Sequence, residues 1–448
     1  MAARTHSLFV CQNCGAAQPK WLGRCPACQA WDSLVEEPAA PRAGAAATAA
    51  PAATLPLSQA LAGEPGRLSS GLEELDRVLG GGLVPGMVVL VGGEPGIGKS
   101  TLMLQAAASL GQGQGRVLLV AAEESARQVG LRAQRLGLAG GAVELLAETA
   151  LEPVQAALAS GDYTAVVVDS IQALRAAELA SAPGSVGQVR QCAAELAAAA
   201  KASGSALFLV GHVTKEGSLA GPRVLEHLVD TVLYFESEPS LRLRLLRAVK
   251  NRFGATDEVG VFEMGEAGLL PVPNPSALFL AHRPLQAPGS AVCAAMSGTR
   301  PLLVEVQALV SPSGLAMPRR QALGLDQGRL HMLAAVLGIH AGLDLSGHDV
   351  FVNVTGGVRL SEPAADLAVA AAIASSLAGR PLPPGVVCFG EVGLAGELRA
   401  VGRGQARLAE ASRQGFSQAL TAPGQTKPPA GMQMLSARRL DQALALLW

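Results

Sequence analysis

The sequence predicts an α/β protein in several parts: a small metal-held module, a nucleotide-binding core on a parallel sheet, and a second α/β domain. Three observations carry this. Four cysteines cluster in two pairs within the first 35 residues. Short apolar runs alternate with helical stretches between residues 87 and 210, the mark of buried parallel strands. One of those runs leads into a glycine-rich loop of the kind that cradles phosphate. The 448 residues are too many for a single core, and 49% hydrophobic content suffices for two or three.

In chain order, Cys11-x-x-Cys14 and Cys25-x-x-Cys28 read as a tetrahedral zinc site of four cysteines, not as disulfides. A module of residues 1–35 cannot bury enough surface to fold unaided, so the metal supplies the folding energy. Four thiolates leave no open coordination position, so the zinc is structural. Cys192, Cys293 and Cys388 are isolated and read as buried apolar thiols. Residues 36–56 are rich in Ala and Pro and read as a linker.

The core is expected over residues 57–275. Met87–Val91 reads as a strand and Thr101–Ala106 as a helix. Between them Gly93-Glu94-Pro95-Gly96-Ile97-Gly98-Lys99-Ser100, followed by Thr101, matches the phosphate-binding loop at every fixed position. The glycines turn successive N–H groups inward, Lys99 places a cation at the β- and γ-phosphates, and Ser100 offers Mg²⁺ an oxygen. Further strands are expected at 117–120, 165–169 and 206–210. Asp169 ends one of them and is placed to orient Mg²⁺. Glu123 and Glu124 follow another, and either can present a carboxylate to the attacking water; Glu123 is preferred. The polar stretch 211–217 reads as a loop that senses nucleotide and touches DNA, and His212 has no partner at metal-ligand spacing. Lys250-Asn251-Arg252-Phe253-Gly254 sets two cations before a glycine turn, suited to phosphate on a neighbouring subunit or on a DNA backbone.

Residues 276–448 continue as a mixed α/β domain, with strands at 302–306 and 350–354 and a long apolar helix at 366–377. No apolar run reaches the roughly 18 residues of a membrane span, and the N-terminus lacks a secretory pattern. A cytoplasmic location without membrane contact is expected. Net charge is −1, so any polyanion site must be local. Candidate cations are Lys215, Arg223, Lys250 and Arg252, with Arg319, Arg320 and Arg329 in the last domain.

These pieces together resemble the bacterial RadA (Sms) family of DNA-repair proteins. The likeness rests on the cysteine pairs with Pro19-Lys20-Trp21-Leu22-Gly23-Arg24 between them, on Gly92 through Thr101, on Glu123-Glu124-Ser125, and on Lys250 through Gly254. It implies a RecA-like ATPase core, a homo-hexameric ring on single-stranded and branched DNA, the recombinase RecA as partner, and branch migration by a helicase-like motor in homologous recombination. It also implies that Glu123 is the catalytic carboxylate and that Lys250 and Arg252 couple ATP to DNA. The last domain is similar to the proteolytic domain of Lon. Where Lon carries its serine and lysine, this chain has Ala364 and Gln405, so the resemblance implies a scaffold and not a peptidase. Two other functions are compatible with parts of the pattern: an ATP-dependent protease, which the missing dyad opposes, and a zinc-containing DNA-binding regulator that uses ATP only as a switch.

Overall fold

The computed structural model describes residues 7–11, 16–38, 56, 66–113, 115–138, 142–179, 181–212, 224–238, 243–256, 258–424 and 427–448. Cys14, Lys215, Arg223 and most of the Ala/Pro-rich stretch lie outside the described residues. The chain divides into two compact units, Met1–Pro271 and Val272–Trp448, and the division falls within Pro271-Val272-Pro273-Asn274-Pro275. No helix among the described residues is long and apolar enough to cross a membrane.

The N-terminal module is a three-stranded antiparallel sheet of β1 (Ser7–Cys11), β2 (Ala17–Gln18) and β3 (Leu34–Pro38), in the order β2-β1-β3. Its apolar cluster is its own and small: Cys11, Cys25 and Leu34, with Phe9 and Leu22 against them. So few side chains cannot offset the chain entropy of folding, and a covalent or metal staple is needed.

The core of the first unit is a nine-stranded sheet. Its strands are β4 (Val88–Gly93), β5 (Arg116–Ala121), β6 (Val143–Leu146), β7 (Tyr163–Asp169), β8 (Ala206–His212), β9 (Thr231–Glu238), β10 (Leu243–Asn251), β11 (Val259–Gly265) and β12 (Gly268–Pro271). They lie in the order β12-β11-β10-β9-β4-β8-β7-β5-β6. From β9 to β6 the pairs are parallel; β10 to β12 form an antiparallel wing. The helices are α1 (Glu73–Leu79), α2 (Lys99–Gly111), α3 (Ala126–Arg135), α4 (Leu151–Ser160), α5 (Val186–Ser203) and α6 (Val224–Leu228).

Both faces of the parallel part are covered, which is why its strands read as continuous apolar runs. Along β4, Val89 and Val91 pack with Leu102 and Met103 of α2 on one face. Val88 and Leu90 pack with Val189 and Leu196 of α5 on the other. Each of these fully buried side chains contributes roughly 1.5–3 kcal/mol by leaving water.

The second unit carries a seven-stranded sheet of β13 (Ser290–Ser297), β14 (Arg300–Pro312), β15 (Arg320–Leu323), β16 (His348–Val354), β17 (Val386–Cys388) and two later strands. The short pair β18 (Glu391–Val392) and β19 (Leu398–Arg399) precedes those two, β20 (Gln418–Thr421) and β21 (Gln433–Ser436). The sheet order is β15-β16-β14-β13-β17-β20-β21. Its helices are α7 (Pro275–Leu280), α8 (Gln327–Ala341), α9 (Asp366–Ala378), α10 (Gly404–Arg413) and α11 (Leu440–Ala445). From Asp366 to Ser375 every residue of α9 is buried, and the eight between these two ends are all apolar. Cys192, Cys293 and Cys388 are buried as expected, and burial pushes the Cys192 thiol up to about 11.

Candidate functional site

The phosphate loop joins the end of β4 to the start of α2. Gly96 (φ 77°) and Gly98 (φ 117°) take left-handed backbone conformations that other residues rarely adopt. At Gly98 a Cβ would also stand 2.8 Å from Met264 Cε. Lys99 is buried, and its Nζ lies back across the loop, donating to the carbonyls of Gly93 (2.8 Å) and Glu94 (2.9 Å). Burial lowers its pKa, while the carboxylates of Asp169 and Glu123 oppose that shift.

Strand order brings the remaining groups to the loop. Gly93 is level with His212 across β4 and β8, and Ala121 with Asp169 across β5 and β7. Four parallel strands therefore end together at the carboxyl edge, where open α/β sheets hold their ligands. There Lys99 Nζ is 3.4 Å from His212 Nδ1, and His212 Nε2 is 3.2 Å from Glu123 Oε1. The Ser170 hydroxyl donates to the same carboxylate oxygen. The Asp169–Ser170 peptide is cis. Burial raises the Asp169 pKa, partly opposed by a hydrogen bond from Ser100 and reinforced by the Glu123 charge. A half-buried carboxylate beside a hydroxyl is the hard-oxygen pair that Mg²⁺ takes, so these residues fit that ion.

The adjacent acids separate. Glu123 faces the loop, whereas Glu124 forms an ion pair with Arg132 on α3. The helix itself begins with a capping box, in which the Ser125 hydroxyl and the Gln128 amide satisfy each other's backbone N–H groups.

Two residues at this edge carry no motif. His212 bridges the loop lysine to the glutamate. Arg244, on β10, donates from Nε to the Ile97 carbonyl (3.1 Å) and from Nη1 to the Leu243 carbonyl (3.1 Å). It braces the crest of the loop from a strand 147 residues away in sequence. Changing Arg244 to alanine removes a charge-assisted bond of about 1.5–3 kcal/mol. We expect a roughly tenfold or greater weakening of nucleotide binding, with a smaller change in kcat; equilibrium binding and a Michaelis series would check both.

Lys250 and Arg252 do not join this site. Lys250 is level with Val232 and Asn251 with Thr231, so the motif lies where the parallel strands begin, at the sheet edge opposite the loop. Lys250 Nζ donates to the carbonyls of Glu226 (2.5 Å) and Val229 (2.7 Å), closing the end of α6. Arg252 pairs with the buried Asp230 at 3.2 Å. Asn251 is buried and donates to the Val78 carbonyl at 3.1 Å. Within one chain these cations are therefore removed from the phosphate loop.

In the second unit Arg319 is exposed, and its backbone N–H donates to Asp349 Oδ1 at 2.7 Å. Arg320 is occupied by the carbonyls of His348 and Leu345. Arg329 forms a two-pronged pair with Asp366, which is buried at the start of α9. Ala364 is buried, and Gln405 is exposed at the start of α10. Near both in sequence, Arg407 and Glu362 make a two-pronged ion pair at 2.8 and 2.5 Å.

In the N-terminal module the sulfurs of Cys11, Cys25 and Cys28 lie within 4.8 Å of one another, with Cys11 Sγ and Cys28 Sγ 3.6 Å apart. Three thiols converging in a buried cluster fit a metal that prefers sulfur, such as zinc.

The phosphate loop at the carboxyl edge of this strand order defines a P-loop ATPase preceded by a small cysteine-rich metal-binding module. Residues 54–218 match the AAA domain family, and residues 9–36 match the rubredoxin metal binding domain family. Over its full length the chain is 52% identical, across 452 residues and 100% of both chains, to the DNA repair protein RadA of Pseudomonas aeruginosa. The protein of that name from Brucella abortus is 52% identical over 432 residues, covering 93% of this chain and 92% of its own. The Bacillus subtilis protein is 48% identical over 452 residues, covering 99% and 98%. The chain belongs to the RadA family of DNA repair proteins.

Proposed function

We propose that the protein is a DNA-dependent ATPase of homologous recombination and repair, a homo-hexameric motor that drives branch migration on single-stranded and branched DNA. The observation that carries the chemistry is the convergence of Lys99, Ser100, Asp169, Glu123 and His212 on one sheet edge. Mg²⁺, when bound, would supply positive charge to offset the charge that develops on the phosphate oxygens. Ser100 and Asp169 would hold it. Lys99 leaves the loop carbonyls to meet the transferring phosphate, and the helix N-terminus behind it adds its N–H donors. Glu123 orients the attacking water and accepts its proton. His212 and Ser170 fix the glutamate that does so.

Glu123→Gln keeps the shape and removes the base. Turnover should fall about 10²- to 10⁴-fold while nucleotide binding persists. Equal turnover in wild type and variant would move the role to another group.

Coupling to DNA requires cations outside the site. Lys250 and Arg252, at the far edge, are assigned to phosphate on the next subunit or on DNA, with Arg319 as an exposed contact on the second unit. Lys215 and Arg223, outside the described residues, are assigned to DNA on their sequence position. Cys14 is proposed as the fourth zinc ligand. The division 1–35, 36–56, 57–275 and 276–448 is kept as the functional one, with RecA as the recombinase partner in the cytoplasm. The last domain is a scaffold. Ala364 offers no nucleophile, Gln405 offers no base, and Arg407 is committed to Glu362. Branch migration assayed on three-stranded intermediates, with particle mass measured by light scattering, tests the motor. A monomer that turns over ATP but leaves such intermediates unmoved would overturn it.

A further inference from the structure

Aromatic residues make up 3% of the chain, and two of its three tryptophans lie on the zinc module. Neither is buried: Trp21 is 54% exposed and Trp31 70%. The two indoles flank Gly23, where a Cβ would stand 3.7 Å from Trp21 Cη2 and 4.0 Å from Trp31 Cζ3. The backbone beneath them is fixed. Arg24 and Trp31 form a bridge, and the Asp32 N–H donates to the Gly23 carbonyl at 2.9 Å. Arg24 Nε donates to the Gln29 carbonyl at 2.9 Å, with its guanidinium 5.5 Å from the centroid of the Trp31 ring. Arg24 is exposed, and so is Lys20, which precedes Trp21 in the chain.

Among the described residues of the module only Val35 adds a large exposed apolar side chain. The patch is therefore two rings with two cations, not the broad apolar face of a stable protein interface. Two adjacent exposed π-surfaces with cations nearby match the chemistry of an unpaired nucleic acid, whose bases stack on indoles and whose phosphates meet Lys and Arg. We propose that Trp21 and Trp31 form a base-stacking surface for single-stranded DNA, with Gly23 keeping the space between them open and Lys20 and Arg24 meeting the flanking phosphates. This rests on the DNA-binding function proposed above and gives the zinc module a direct part in it.

The test uses the full chain carrying Trp448→Phe, so that indole fluorescence comes from the module alone. It is titrated with oligo(dT) and with an abasic deoxyribose-phosphate oligomer of the same length. Oligo(dT) should quench the fluorescence and the abasic oligomer should not. Trp21→Ala with Trp31→Ala should weaken oligo(dT) binding about tenfold or more and leave abasic binding unchanged, and the paired Phe variant should recover most of the affinity. Zinc content checks that the variants keep the module folded. If the alanine pair loses zinc, the comparison of the two oligomers on the parent chain decides, and equal responses overturn the proposal. A chain that binds oligo(dT) without quenching, and as tightly in the alanine pair, overturns the stacking surface and leaves the DNA-dependent ATPase standing. A chain that binds neither oligomer overturns both.

Discussion

Lys99→Ala should abolish ATP turnover. The ammonium is the cation assigned above to the transferring phosphate, and removing one donor to developing charge in such a site typically costs 10²- to 10³-fold in kcat. Here the loss should be larger, about three orders of magnitude or more, because the same group also ties the carbonyls of Gly93 and Glu94 together. Lys99→Arg should not restore activity, since a planar fork cannot occupy the pocket of a compact ammonium. Steady-state turnover, with nucleotide binding measured in parallel, checks this. Near-normal turnover in the purified variant would remove the phosphate loop from the mechanism.

Removing the metal should have the largest structural effect. The module's cluster of Cys11, Cys25 and Leu34 is too small to order it, whereas a structural zinc site supplies an apparent folding energy of about 10–16 kcal/mol. Cys25→Ser should therefore release zinc and unfold residues 1–35, and a strong chelator should do the same to the unaltered chain. The ATPase core should keep its melting transition, because its two apolar clusters contain no residue of the module. Metal analysis and calorimetry decide the point. Undiminished zinc in the variant would place the metal elsewhere.

The parts of the fold that were legible in sequence were those written locally. The loop motif, its strand and its helix are contiguous, and a strand buried on both faces must read as an unbroken apolar run, as Val88–Val91 does. The helix at 366–377 was legible for the same reason, since α9 is buried on every side. Of the antiparallel wing only β10 was legible, because residues 241–249 before the Lys250 motif read as strand-like. In β11 the apolar run is broken by Gly260 and Glu263, and β12 is four residues long, so neither stands out.

The site was half legible. Its acids could be placed at strand ends, but which of Glu123 and Glu124 turns inward depends on Arg132, a residue on the next helix. His212 meets Lys99 and Glu123 only because β8 lies between β4 and β7, and sheet order is not written in spacing. Arg244 was invisible for the same reason. The Lys250–Gly254 motif announced two cations and a turn but not the edge of the sheet it occupies, and that edge is what separates it from its own chain's loop. Arg329 read as a cation for DNA, yet it serves a buried carboxylate 37 residues away.

The central claim is that ATP hydrolysis at this site is coupled to DNA. The most direct measurement is steady-state ATP turnover by the full chain with and without single-stranded DNA, in the unaltered protein and in Lys250→Ala and Arg252→Ala. Turnover should rise several-fold on adding DNA, and both variants should lose that rise while retaining nucleotide binding. Turnover that is the same with and without DNA in the unaltered protein would contradict it.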